Sequence, residues 1–229
     1  MDGLLIITGQ RTGAGHLLSL LQNLPEAGPH DAPLPHDPQA LAGAVDRAEL
    51  DALAHQRRVF VLRANSDMPR EAIADVILAR PGMRAMLVMR RLIDSYVSLA
   101  KAEAVGQTRG IDTTDIRVTL DIDAFSGWLN GQTLWYAHWQ EWARRRSLPL
   151  PVLTYETHIA IAPEAALRRF TMAAGQVGIS LKVPASLVHP GLVQQDRGKA
   201  AAFKVLNWPE FSKALIERDL EKRAFGYPI

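Results

Sequence analysis

Leu4-Leu5-Ile6-Ile7-Thr8-Gly9-Gln10-Arg11-Thr12-Gly13-Ala14-Gly15-His16-Leu17-Leu18-Ser19-Leu20-Leu21 decides how this chain is read. Leu4 to Thr8 is an unbroken apolar run of strand length. A strand without alternation is one covered on both faces, as in a parallel sheet. The glycines at 9, 13 and 15 form a loop, and His16 to Leu21 has helical length and composition. A glycine loop between a buried strand and a helix presents backbone amides and a positive helix end, which together cradle an anion.

The same alternation continues downstream. Val59-Phe60-Val61-Leu62, Met86-Leu87-Val88-Met89 and Val152-Leu153-Thr154-Tyr155 are further strand candidates. Helices are expected at Ala40 to His55 (one or two), from Pro69 to just before Pro81-Gly82, and from Leu92 to Ala104 with a stop at Gly106. Others are expected at Asp123 to Arg146, Pro163 to Ala174 and Pro209 to Ala224. Residues 25–38 carry five prolines and read as an irregular loop, as do the polar residues 107–120. Strands alternating with helices imply an α/β fold, a three-layer α/β/α arrangement around a mainly parallel sheet with right-handed crossovers. Ligands in such sheets sit at the carboxyl ends of the strands. With 229 residues, no internal repeat and no low-complexity linker, residues 1–229 read as a single domain.

Composition excludes several chemistries. There is no cysteine, hence no disulfide, thiolate zinc site, iron–sulfur cluster or cysteine nucleophile. The net charge of +2 is too small to suggest a broad nucleic-acid surface. The apolar runs are too short to span a membrane, and no basic segment precedes the first strand, so no leader peptide is expected. A cytoplasmic location follows as the expectation. His55, His138, His158 and His189 show no metal-ligand spacing. The tryptophans at 128, 135, 139 and 142 fall on one helical face as core or pocket wall. Arg144-Arg145-Arg146 reads as a solvated helix end.

The loop fails two common phosphate signatures. A Walker loop counted from Gly9 places Ala14 where the second glycine belongs, and Gly15 is followed by His16 and Leu17 rather than lysine and a hydroxyl. A dinucleotide fingerprint counted from Gly13 places Leu18 at its third glycine, and the following strand carries Arg63 rather than an acid.

Gln10-Arg11-Thr12-Gly13-Ala14-Gly15-His16 instead resembles the 5′-phosphosulfate loop of sulfotransferases, in which a basic residue is followed by Ser/Thr-Gly and two small residues. Arg11, Thr12 and Gly13 match; Ala14 and Gly15 lack the hydroxyls common there. Arg90, at a strand end, and Ser98, eight residues on in the next helix, are similar to the family's 3′-phosphate motif. The surrounding Arg-Arg-Leu-Ile-Asp-Ser-Tyr-Val-Ser-Leu resembles its bacterial members. A guanidinium fork plus a hydroxyl donor suits a dianionic phosphate. Tyr155-Glu156 resembles an element whose tyrosine lies near the adenine, and Arg197 and Lys199 sit in a stretch like the family's C-terminal phosphate-contacting region.

The resemblance implies a P-loop-like sulfotransferase fold and transfer of a sulfuryl group from 3′-phosphoadenosine 5′-phosphosulfate, without a metal, to a hydroxyl or amine of a small-molecule or carbohydrate acceptor. Arg11 would stabilise the leaving phosphate oxyanion. A general base is also needed. The family's carboxylate after the first helix is absent, so His30 and Asp31 are the nearest candidates and His36 and Asp37 the next. Two alternatives stay open: an inactive nucleotide-binding protein of the same fold, and a P-loop nucleotide kinase-like enzyme.

Overall fold

The computed structural model describes residues 1–106, 112–188 and 200–228. Its residues pack as two compact units interleaved along the chain: Met1–Gly9, Gly13–Met89 and Trp142–Leu192 form one, and Gln10–Thr12, Arg90–Glu141 and Val193–Ile229 the other.

The first unit holds a five-stranded parallel sheet in the order β2-β3-β1-β4-β5. The strands are β1 (Asp2–Thr8), β2 (Ala27–Pro29), β3 (Val59–Asn65), β4 (Met83–Met89) and β5 (Val152–Thr154). Alternate side chains of a strand point to opposite faces. Leu4, Ile6, Val61 and Val88 join a core with α1 (Ala14–Leu21) and α6 (Pro163–Gln176). Leu5, Ile7, Leu62 and Leu87 have the opposite parity and are equally buried. The second layer comes from α2 (Pro38–Ala54) and from α3 (Arg70–Ala72), which runs on into a π-helical turn, Ile73–Leu78. α2 packs on β2 and β3, and the π-helical turn on α2 and β4. With helices on both faces, every residue of β1 after Asp2 is buried, which is why that stretch is an apolar run with no alternation. The fold is thus a three-layer α/β/α arrangement.

The second unit contains α4 (Leu92–Val105), most of α5 (Ile122–Arg145), a 3₁₀ turn (Ala201–Phe203), α7 (Trp208–Glu217) and α8 (Glu221–Phe225). Ile93, Val97, Phe125, Leu129, Phe211 and Leu215 form its core. A parallel bridge joins Val118 to Val205. Beside it the Asn207 amide exchanges two hydrogen bonds with the Leu120 main chain, at 3.0 and 2.9 Å.

Three expectations are corrected. Residues 25–38 are not wholly irregular, because Ala27–Pro29 pairs with Val59–Val61 as the edge strand β2. Proline is tolerated there because an edge strand leaves N–H groups unpaired. The last helix is not continuous: it breaks between Glu217 and Glu221, where Asp219 takes a left-handed φ of 54°. The last strand ends at Thr154, and Tyr155 opens a π-helical turn, Tyr155–Ile159. Among the described residues no helix is long and apolar enough to cross a membrane.

Candidate functional site

Sheet register sets which loops emerge together. Thr8 lies opposite Asn65 on β3 and Val88 on β4, and Met89 lies opposite Thr154 on β5. The chain therefore leaves β1, β3, β4 and β5 along one carboxyl edge, the place where doubly wound sheets bind ligands. Gln10 and Arg90 each follow that paired level by two residues.

In the second unit three predicted residues come together. The Arg11 Nε donates to Ser98 Oγ at 3.2 Å, and Arg90 Nη1 donates to the Arg11 main-chain carbonyl at 3.2 Å. Arg11 adopts φ 57°, a left-handed conformation that costs a non-glycine residue roughly 1–2 kcal/mol. Such strain persists where surrounding contacts over-determine it, and the Ser98 and Arg90 bonds are two such contacts. The turn bearing Arg90 is held from the other side. The Leu92 N–H donates to the Gly226 carbonyl at 3.1 Å, and Arg91 pairs with Asp94 at 2.8 Å. Gln10 is tied in as well, its Oε1 accepting from Trp128 Nε1 at 2.9 Å. Thr12 is buried.

In the first unit, Gly13 is the N-cap of α1 with φ 84° and no side chain capping the helix. Ala14, Gly15 and His16 form the first turn, which carries no acidic residue. Anions are favoured at such an end. A Cβ on Gly13 would lie 2.3 Å from Tyr155 Cδ2, so the tyrosine ring rests directly on the loop. The π-helical turn that begins with Tyr155 is pinned by His158, whose Nδ1 accepts from the Thr154 N–H at 3.0 Å. An amide donor at Nδ1 leaves the ring proton on Nε2.

His30 and Asp31 follow β2. The His30 N–H donates to the Val61 carbonyl at 2.8 Å, extending the β2–β3 pairing by one residue. Asp31 faces Arg63 of β3 at 3.8 Å. His30 also lines an open cleft of about 500 Å³ with Gln22, Asp51, His55 and Arg57. Of the second pair of base candidates, Asp37 is the N-cap of α2, accepting from Ala40 N at 2.8 Å. His36 lies 4.0 Å from Asp67, both well exposed. Asp37 thus also serves as a helix cap through one of its two carboxylate oxygens.

Arg197 and Lys199 lie outside the described residues. Among the described residues no three His, Asp or Glu side chains are grouped so as to ligate a metal.

Two participants escaped the sequence reading. Trp128 was legible only as core or wall of an aromatic helix face, and its bond to Gln10 spans 118 positions. Arg63 was visible only as an ill-suited ending for a dinucleotide strand, and it proves to face Asp31. No family model, curated protein or solved structure matches the chain.

Proposed function

We propose that this protein is a sulfotransferase that moves a sulfuryl group from 3′-phosphoadenosine 5′-phosphosulfate to a hydroxyl or amine of a small-molecule or carbohydrate acceptor. The observation that carries the reading is the junction of Arg11, Arg90 and Ser98, residues from two distant chain segments joined by two hydrogen bonds. Two guanidinium groups and a hydroxyl provide forked, permanently charged donors for phosphate or sulfate oxygens. The Ser98 Oγ accepts from Arg11, and a hydroxyl that accepts can also donate its own proton to an anion. Within the first unit, the uncapped first turn of α1 is itself an end that favours anions.

In this reading the acceptor oxygen or nitrogen attacks sulfur as the bond from sulfur to the phosphate oxygen breaks. The electron pair of that bond leaves with the adenosine bisphosphate, and Arg11 stabilises the charge it develops. The acceptor's proton passes to His30, or to Asp31 beside Arg63. Tyr155 would stand near the adenine. The reading carries with it a cytoplasmic enzyme that acts without a metal and takes no nucleic acid.

A second reading keeps the fold and the nucleotide but drops the chemistry. It is favoured by Ala14, whose buried methyl group offers no hydroxyl donor. Two measurements separate the possibilities. Thermal stabilisation by adenosine 3′,5′-bisphosphate, with none by ATP or NADP, supports both readings, and preference for ATP or NADP defeats both. Labelled sulfuryl transfer to an acceptor panel supports the enzyme, and its absence despite tight bisphosphate binding supports the inactive binder.

A further inference from the structure

Gln10 occupies an unusual position: its amide is oriented by a partner that permits only one orientation. The Trp128 indole nitrogen is a donor with no acceptor capacity. Its 2.9 Å contact is therefore with the carboxamide oxygen of Gln10. The NH₂ group is consequently turned away from the indole, and among the described residues it meets no acceptor. Trp128 is itself held in place. Its ring lies 5.2 Å from that of Tyr96 on α4 and 6.3 Å, stacked, from Phe125 on α5. Swinging the indole away would unpack this aromatic trio, whose Phe125 is fully buried. Gln10 immediately precedes Arg11, whose guanidinium is anchored on Ser98.

We propose that Trp128 is a positioning residue that locks the Gln10 carboxamide so that its NH₂ group acts as a neutral donor to a phosphate or sulfate oxygen beside Arg11. This deepens, and rests on, the anion-binding reading of the same loop. A carboxamide whose orientation is fixed beforehand loses little freedom on binding. The arrangement also acts as a filter. With the oxygen directed at Trp128, the group that Gln10 presents away from the indole is a donor, which suits an anion better than a cation.

The test uses the full chain with two probes, sodium sulfate and adenosine 3′,5′-bisphosphate, read by thermal shift and calorimetry. Gln10→Glu keeps an oxygen for Trp128 and replaces the NH₂ donor by a second, anionic oxygen. It is expected to weaken both probes by about tenfold or more, the scale of a charge-assisted hydrogen bond. Trp128→Phe keeps the ring and removes the N–H. It is expected to weaken both probes several-fold in the parent chain and to have no further effect in a Gln10→Ala background. A merely structural tryptophan would lower affinity equally in both backgrounds, and that result overturns the positioning role. Should Trp128→Phe fail to fold, Gln10→Glu decides alone: parental affinity for both probes overturns the proposal. Bisphosphate binding that Gln10→Glu leaves unchanged refutes this inference while the nucleotide reading stands. Sulfate binding that depends on Gln10, with no bisphosphate binding, refutes the nucleotide reading while the donor role stands. A parent chain that binds neither probe refutes both.

Discussion

Arg90 reaches across 79 positions of sequence to donate, through Nη1, to the main-chain carbonyl of Arg11. The residue leaving β4 thereby holds the loop leaving β1, and Arg11 in turn donates its Nε to Ser98, one helix beyond Arg90.

In the proposed nucleotide site, Arg90→Ala should weaken adenosine 3′,5′-bisphosphate binding by about 1.5–3 kcal/mol, the range of a hydrogen bond to a charged group. Binding of unphosphorylated adenosine should be spared. Calorimetry with the two ligands checks this, and an unchanged bisphosphate dissociation constant would remove Arg90 from the site.

Gly13 should tolerate no side chain. Its φ of 84° costs an alanine roughly 1–2 kcal/mol, and the added Cβ would also meet the Tyr155 ring at 2.3 Å. Urea denaturation of Gly13→Ala should show a loss larger than the backbone cost alone. In a Tyr155→Ala background the penalty should shrink toward that backbone cost. Equal penalties in both backgrounds would mean that the ring yields freely.

The proposed base is tested by turnover. If His30 takes the acceptor's proton, His30→Ala should lower kcat by about 10²–10⁴-fold, the usual contribution of a general base, with bisphosphate affinity unchanged. Asp31→Asn should lower kcat to a similar extent if the carboxylate beside Arg63 performs that task instead. Full activity of both variants in a sulfuryl-transfer assay would place the base elsewhere.

Tyr96 supplies a pH-dependent signature of the aromatic trio. Burial raises its hydroxyl above the ordinary tyrosine range, and the negative charges of Asp121 and then Glu103 add to the effect. A group whose folded-state pKa is raised stabilises the fold below its unfolded value, about 10 for tyrosine, and that stability is lost as pH rises through the folded value. Alkaline titration followed by tyrosinate absorbance should show a step above the free-tyrosine range that Tyr96→Phe abolishes. Persistence of that step in the variant would count against the assignment.

The strands β1, β3 and β4 were legible because two-sided burial demands an unbroken apolar run, and Leu4 to Thr8, Val59 to Leu62 and Met86 to Met89 each supply one. β2 was not legible. Three residues containing glycine and proline carry no local strand preference, and only pairing with Val59–Val61 makes them one. Asp37 shows a related limit: beside prolines and a histidine its capping of α2 was not singled out.

Local chemistry alone was enough to place a glycine loop between a buried strand and a helix, and an arginine at the exit of another strand. Those features depend on neighbours a few residues away. That Arg11 would sit on Ser98, that Arg90 would brace the loop from behind and that Trp128 would orient Gln10 depended on strand register and helix packing. These contacts join positions 79 to 118 residues apart. Periodicity and turn preference extend over only a few residues, so nothing in them encodes partners at that range until the core has closed and set the geometry.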